Sequence, residues 1–228
     1  MIIEFIGLPG SGKSYYADIL KDYFKSSNIK TKNINNISRT KFYGKVIRIF
    51  LYKIADFHPK LRFYKNKIKG LFKDNVYNNL YSIYPSIDKC LNTISVFIYL
   101  YNKLSDKKEV YILDEGLFHY VVKMSANFDI DEKKVLELIN EIKLLLTKDG
   151  IVIYNYISQL DSKIELKKRN RHVCLFDELK EDDLDNILNK YYEICDIISN
   201  NISTVKVDRY ECDEEKINRV MKKVKEFA

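Results

Sequence analysis

Short apolar runs and segments of helical periodicity alternate along most of this chain. Five runs predict strands, at residues 1–6, 29–37, 109–113, 151–156 and 203–208, and the run at 29–37 is the weakest. Apolar residues recur three or four positions apart at residues 13–25, 86–104, 131–147, 181–198 and 214–227, and a basic helical segment lies at 162–171. Strands that alternate with helices predict one parallel sheet with helices on both faces.

Residues 41–105 interrupt this alternation with an aromatic-rich block of helical character. Apolar side chains at 42, 46, 49, 50 and 57 follow a helical stripe, and Pro59 and Pro85 mark breaks. We interpret the block as a helical insertion between the second and third strands. It would cover the carboxyl ends of the strands, where α/β sheets bind their ligands. The chain then forms a single domain at residues 1–228 that carries this insertion.

A glycine-rich loop joins the first strand to the first helix. Its sequence is Gly7-Leu8-Pro9-Gly10-Ser11-Gly12-Lys13-Ser14, which matches the phosphate-binding pattern GxxxxGK[ST] in the required strand–loop–helix context. The glycines allow backbone N–H groups to converge on phosphate oxygens, and the helix that follows adds its positive end. We expect Lys13 to reach the β- and γ-phosphates of ATP or GTP, and the Ser14 hydroxyl to bind Mg²⁺. The predicted nucleotide-binding set is Gly7, Pro9, Gly10, Ser11, Gly12, Lys13 and Ser14.

The order of these pieces resembles the P-loop kinases of the thymidylate-kinase-like nucleoside and nucleotide kinase branch. The similar features are the N-terminal phosphate loop, a third strand that ends in Asp114, a basic segment at 167–171 after the fourth strand, and a last strand followed by a helix that begins with acids. The resemblance implies a P-loop fold with a parallel five-stranded sheet. It also implies transfer of the ATP γ-phosphoryl group, with Mg²⁺, to a small acceptor such as a nucleotide, nucleoside or sugar.

Two adjacent acids, Asp114 and Glu115, follow the third strand at the rim of the predicted sheet. Neighbouring strand residues point to opposite faces, so we assign them different roles. Asp114 is the candidate Mg²⁺ ligand, directly or through water, and Glu115 is the candidate base or ligand of the acceptor hydroxyl. Thymidylate kinases commonly carry arginine where Glu115 stands, which argues against a nucleoside monophosphate acceptor. His119, four residues later, could touch substrate, but a packed or surface histidine is the simpler expectation.

A short basic lid is implied by the resemblance at residues 161–180. Its cations are Lys167, Lys168, Arg169 and Arg171. Lid arginines of nucleotide kinases close on the phosphates and neutralise charge in the transition state. Arg169 and Arg171 are therefore candidate catalytic residues, and Arg169 is also a candidate nucleotide-binding residue, directed towards the base.

Positive charge is concentrated in the insertion. The net charge is +7, but residues 41–103 carry twelve basic and three acidic side chains, so the rest of the chain is slightly acidic. Four interpretations remain open: a pocket for a small anionic or polyhydroxyl acceptor, a nucleic-acid surface, contact with an anionic membrane, or a solvated lysine-rich face. The alternatives to a small-molecule kinase are a P-loop NTPase or switch that acts with a macromolecular partner, and a polynucleotide 5′-kinase.

Composition narrows the class of protein. No stretch reaches the roughly 20 apolar residues that a membrane-spanning helix needs. The cysteines at 90, 174, 195 and 212 are too far apart for a CxxC pair, which favours a cytoplasmic protein with reduced thiols. A homodimer remains open.

Overall fold

The architecture is that of a parallel sheet between two layers of helices, seen in a computed structural model. The structure describes residues 1–33, 58–72, 86–105, 109–169, 176 and 179–227. The strands are β1 (Ile2–Ile6), β2 (Thr31–Asn33), β3 (Val110–Leu113), β4 (Ile151–Tyr156) and β5 (Thr204–Asp208). All pair in parallel, in the order β2-β3-β1-β4-β5. The predicted fold class is therefore confirmed.

Eight helices connect and cover these strands in the described part of the chain. They are α1 (Lys13–Ser26), α2 (Pro59–Gly70), α3 (Ile87–Leu104), α4 (Leu117–Asn127), α5 (Glu132–Leu145), α6 (Gln159–Arg169), α7 (Glu181–Asn201) and α8 (Asp213–Phe227). None of these helices is long and apolar enough to cross a membrane.

The side chains of β1 divide the core between the two faces of the sheet. Ile3 and Phe5 point towards α1 and α8, in a cluster that also holds Leu20 and Val220. Ile2 and Ile6 point the other way, towards the larger cluster formed with α3, α4, α5 and α7. Because β1 is the central strand and both of its faces are covered, it reads as a continuous buried run, as the sequence predicts.

Capping side chains set the starts of two predicted helices. The Ser86 hydroxyl accepts a hydrogen bond from the Lys89 N–H at 3.4 Å, and the Asp131 carboxylate accepts one from the Lys134 N–H at 2.9 Å. Pro59 begins α2 at its first residue, where a missing N–H costs nothing. It therefore marks a helix start as well as a break.

The helix α4 was missing from the prediction. Nine of its eleven residues are buried, including polar His119 and Asn127. Polar residues do recur at helical spacing, at positions 119, 123 and 127, so the sequence carried a helical pattern here that the prediction missed. This helix begins immediately after the Asp114-Glu115-Gly116 turn, so it belongs to the candidate site.

The two described helices of the insertion have different surroundings. The apolar side of α3 lies in the larger core cluster, through Leu91, Ile94 and Ile98. Helix α2 packs on α3, where the Asn102 amide donates to the Tyr64 hydroxyl at 3.0 Å. The apolar stripe at positions 42–57, Pro85 and residues 34–37 of the second predicted strand lie outside the described residues.

Candidate active site

The phosphate loop has a backbone that only glycine adopts readily at several positions. Gly12 precedes α1 with φ of 83° and ψ of 17°, a left-handed conformation. Gly7 has φ of 141°, and a Cβ atom there would lie 2.3 Å from the carbonyl oxygen of Asn155. Alternation of such conformations turns successive N–H groups into one concavity that binds anions. The loop therefore has the shape of a phosphate cradle.

Lys13 lies folded back across this loop. Its ammonium donates to the carbonyl oxygens of Gly7 at 2.9 Å and Leu8 at 2.8 Å. An ammonium has three donors and no acceptor, so phosphate oxygens can replace these carbonyls without leaving the charge unsatisfied. Lys13 therefore lies within the cradle, where it would meet an incoming phosphate.

Ser14 and Asp114 meet at the end of the sheet although 100 positions separate them in the sequence. The Ser14 hydroxyl donates to Asp114 Oδ2 at 3.1 Å. The pairing of β1 with β3 brings them together, because the loop follows β1 and Asp114 follows β3. A hydroxyl and a carboxylate offer the oxygen ligands that Mg²⁺ prefers, and a half-site of this kind leaves room for phosphate oxygens and water. These residues thus fit an Mg²⁺–nucleotide complex.

Glu115, just before α4, is followed at four-residue spacing by His119 and Lys123 on that helix. The Lys123 ammonium donates to Glu115 Oε2 at 3.1 Å, and His119 Nε2 lies 3.6 Å from Glu115 Oε1. Burial acts to raise the pKa of Glu115, and the positive charge of the neighbouring Lys123 ammonium acts to lower it. Glu115 is therefore an ionised, half-exposed carboxylate that can accept a hydrogen bond from a hydroxyl group.

His119 is a buried, neutral histidine. Burial lowers its pKa to about 4, the positive charge of Lys123 acts in the same direction, and Glu115 opposes both. Neither ring nitrogen has a hydrogen-bonding partner among the described residues, since the contact with Glu115 is too long. His119 lies beside Glu115, next to the candidate site. The sequence suggested a packed or a surface histidine, and the structure contains a packed one.

The described lid cations are paired with carboxylates. Lys167 lies 3.2 Å from Glu181 at the start of α7, and Lys168 lies 3.0 Å from Glu165 within α6. Arg169 is the last residue of α6, but its side chain and the whole of Arg171 lie outside the described residues. Their roles on the phosphates remain predictions.

Two polar side chains that the sequence patterns did not single out donate hydrogen bonds to backbone carbonyl oxygens of the phosphate loop. The Asn155 amide, on β4, donates to the Ser11 carbonyl oxygen at 2.6 Å, and the Ser162 hydroxyl, on α6, donates to the Pro9 carbonyl oxygen at 2.5 Å. Both side chains are buried. Only the position of Asn155 near the end of a strand beside β1 could have indicated this role.

Comparison with known proteins gives a likeness of fold. Three solved structures of a deoxyadenosine kinase from M. mycoides are similar along 99% of this chain and 100% of theirs. The one with bound dATP has 18% sequence identity and a TM-score of 0.52, and the one with the products dCMP and a flexible dCDP has 16% and 0.54. The one with bound dCTP has 17% and 0.51. No family model and no curated protein matches the chain.

Proposed function

We propose that this protein is an ATP-dependent kinase that transfers the γ-phosphoryl group to a hydroxyl group of a nucleoside or a similar small molecule. The contact between Ser14 and Asp114 at 3.1 Å is the observation that carries the proposal. It joins a phosphate cradle to a carboxylate at the carboxyl edge of a parallel sheet, where both could act on one Mg²⁺–ATP complex.

Different groups of the chain bind the phosphates of ATP and its Mg²⁺ ion. The backbone N–H groups of the loop, which Pro9 lacks, bind the phosphates, and Lys13 exchanges the Gly7 and Leu8 carbonyl oxygens for β- and γ-phosphate oxygens. Ser14 and Asp114 would hold Mg²⁺, which supplies positive charge against the phosphates. Arg169 and Arg171 are proposed to add further positive charge from the lid. Binding and charge neutralisation supply most of the catalysis in phosphoryl transfer.

Glu115 is the proposed acceptor-side group. Its ionised carboxylate accepts a hydrogen bond from the acceptor hydroxyl and orients the oxygen towards the γ-phosphorus. A bond forms between that oxygen and phosphorus, the bond from phosphorus to the β,γ-bridging oxygen breaks, and ADP leaves. The hydroxyl proton passes to the Glu115 carboxylate and from there to water.

A nucleoside is favoured over a sugar as the acceptor because the similar structures are those of a deoxyadenosine kinase. The likeness extends along 99% of this chain, so it includes the acceptor-side elements as well as the phosphate loop. Since the identity is only 18%, the base and the sugar that this chain selects have to be measured.

A screen with γ-labelled ATP tests the function. The purified protein is incubated with nucleosides, nucleoside monophosphates, sugars and 5′-hydroxyl oligonucleotides, and labelled product and ADP are measured together. We expect labelled product only with the nucleoside class, and its loss in Lys13→Ala. ADP formed at an equal rate without any acceptor would favour the alternative NTPase.

A polynucleotide acceptor is the second candidate, and helix α2 is the observation that favours it. Between Pro59 and Gly70 the helix carries five basic residues and no acidic one. The half-exposed Phe63 lies beside the Lys67 ammonium, 5.9 Å from the ring centre to the nitrogen. Cations beside an exposed ring suit phosphates and stacked bases. Label transferred to the oligonucleotide in the same screen would support this candidate.

A further inference from the structure

A carboxylate is buried in the middle of the central strand, and the proposed reaction does not use it. Glu4 is fully buried on β1, between Ile3 and Phe5, and it points towards α3 and α4. Its Oε1 atom accepts a hydrogen bond from the Phe118 N–H at 2.8 Å. Carboxylates are rarely buried without a partner because losing water is costly, so this placement needs an explanation.

The partner of Glu4 is the start of α4. The first N–H groups of a helix have no partner within the helix, and Gly116, which precedes α4, has no side chain to cap them. Glu4 provides the missing acceptor from a different element, and the Leu117 N–H as well as the Phe118 N–H favours its ionised form. A negative charge at this end of a helix is also favoured by the helix dipole.

The same carboxylate lies near the insertion. The fully buried Tyr101 hydroxyl, on α3, is close enough to Glu4 to affect its pKa, although no hydrogen bond joins the two. In the strand register Glu4 is the partner of Leu113, the residue immediately before Asp114. Glu4 therefore touches the elements on both sides of the turn that carries Asp114 and Glu115.

Gly116 shows how closely the turn fits this carboxylate. A Cβ atom at position 116 would lie 1.8 Å from Glu4 Oε2 and 2.7 Å from its Cδ. The backbone there is extended, with φ of −114° and ψ of −158°, so any residue could adopt it. The absence of a side chain at position 116 is therefore required by the Glu4 carboxylate and not by backbone strain.

We propose that Glu4 is a positioning residue that fixes the Asp114-Glu115-Gly116 turn and the start of α4 against the phosphate loop. Its effect on turnover follows from the proposed function, through Asp114 and Glu115. Its effect on the turn itself does not depend on that function. Burial raises the pKa of Glu4 to about 7, while Tyr101 and the two N–H groups act to lower it, so the carboxylate is held at a cost to the fold.

Three variants test the kinetic consequence. Glu4→Met keeps much of the side-chain volume and removes both acceptor oxygens, Glu4→Gln keeps one acceptor oxygen, and Ile3→Val trims a buried residue on the opposite face of the same strand. For Glu4→Met we expect kcat to fall at least ~10-fold and the Mg²⁺ concentration for half-maximal activity to rise at least ~3-fold, because a small displacement of Asp114 and Glu115 from their working positions lowers the rate by factors of this size. Glu4→Gln should remain within about 3-fold of the parent in both quantities.

The Ile3→Val control separates positioning from general stability. It should lower the melting temperature with no change in the Mg²⁺ requirement, since a cavity on the other face leaves the turn in place. Gly116→Ala should reproduce the Mg²⁺ shift of Glu4→Met because its methyl group displaces the carboxylate. If Glu4→Met does not fold, Glu4→Asp replaces it, since the shorter side chain cannot reach the Phe118 N–H.

Amide hydrogen exchange measures the turn without any substrate. The exchange rate at Phe118 should rise at least ~10-fold in Glu4→Met relative to Ile3→Val, because the N–H loses its acceptor. An unchanged exchange rate at Phe118 in a folded Glu4→Met or Glu4→Asp protein overturns the proposal. It is also overturned if Ile3→Val raises the Mg²⁺ requirement as much as Glu4→Met does. If exchange changes as expected but no acceptor is phosphorylated by the parent protein, the proposed function fails and the role of Glu4 in the turn stands.

Discussion

Charge placement decides the chemistry at the scale of single residues. Lys13 lies across the phosphate loop, Asp114 accepts a hydrogen bond from the Ser14 hydroxyl, and Glu115 is paired with Lys123. The setting of each charge decides what its residue can do. The neutral, buried state of His119 and the buried carboxylate of Glu4 arise from packing between distant segments, which no local pattern records.

The first prediction concerns Lys13→Ala. Loss of the ammonium removes a preorganised charge at the β- and γ-phosphates, so turnover should fall at least ~100-fold. The melting temperature should change little, since the hydrogen bonds that the Lys13 ammonium donates to Gly7 and Leu8 lie within its own loop. Lys25→Ala, which removes an exposed lysine from the last turn of the same helix, is the matched control and should remain fully active. A folded Lys13→Ala protein with normal turnover would contradict the assignment of the phosphate loop.

The second prediction separates the two acids. Asp114→Asn should raise the Mg²⁺ concentration needed for half-maximal activity, because the carboxylate that faces Ser14 loses its charge. Glu115→Gln should lower kcat with little change in the KM for ATP, because it acts on the acceptor hydroxyl. Titrations of Mg²⁺ and ATP on both variants measure these quantities. The opposite pattern would exchange the two roles.

The third prediction is a pH dependence of stability that Glu4 introduces. Its pKa in the fold is about 7, above the ordinary value of 4.5, so the folded state binds the proton more tightly than the unfolded state. Its contribution to stability is therefore fully present below pH 4.5 and is lost as the pH rises to 7. The loss at pH 8 is about 3 kcal/mol in the free energy of unfolding, at 1.4 kcal/mol per pKa unit.

Glu4→Gln isolates this effect from that of His119. The pKa of His119 is lowered to about 4, so its contribution runs the other way and is lost as the pH falls from 6.5 to 4. Urea unfolding of the parent and of Glu4→Gln between pH 4 and pH 8 gives a difference in which His119 cancels. Relative to the parent, Glu4→Gln should gain stability as the pH rises. A constant difference would show that Glu4 does not titrate in this range.

At the scale of elements, most helices appear where the sequence predicts them. Helices α5, α7 and α8 each present a polar face to water, and they appear within a few residues of their predicted ends. The predicted strand at 29–37 is reduced to Thr31–Asn33 within the described residues, at the edge of the sheet. Helix α4 was missed although it has polar residues at 119, 123 and 127; it is only eleven residues long and nine of them are buried, so its polar stripe is narrow.

The fourth prediction concerns the attachment of α3 to α5. Asn102, near the end of α3, donates to the Leu145 carbonyl oxygen at 2.8 Å and accepts from the Thr147 N–H at 2.7 Å. Asn102→Ala should therefore lower the free energy of unfolding by about 1–3 kcal/mol, because it leaves the end of α5 without these partners. Asn140→Ala, which removes an exposed amide from α5, is the control and should change it by less than about 0.5 kcal/mol. Urea unfolding at neutral pH measures both.

At the scale of the whole molecule, the order of elements and the phosphate loop were enough to predict the fold. The strand order β2-β3-β1-β4-β5 places the loop after β1 beside the acids after β3, which is why residues far apart in sequence form one site. The acceptor side was less predictable. The basic and aromatic composition of the insertion, which is predicted to form that side, is compatible with several ligands.

The last prediction uses salt to decide among those ligands. Arg62 and Lys67 are exposed on α2, and charge reversal of both, Arg62→Glu with Lys67→Glu, removes much of the positive face of this helix. The matched control reverses two exposed lysines on α8, Lys222→Glu with Lys225→Glu, so the net charge changes equally at a different place. For a small acceptor only one to three cations reach the ligand, so its KM should depend weakly on salt, and the α2 variant should raise it no more than about 3-fold.

A nucleic-acid partner would behave differently, because several cations bind phosphates at once and release counterions. The binding constant for a single-stranded oligonucleotide would then fall with salt with a log–log slope of about −0.7 per phosphate contact. The α2 variant would flatten that slope, whereas the α8 control would not. We expect the weak dependence of a small acceptor. A steep slope that the α2 variant flattens would instead indicate a polynucleotide acceptor. Sedimentation of the protein with anionic but not with neutral vesicles would indicate that this face of α2 binds a membrane surface.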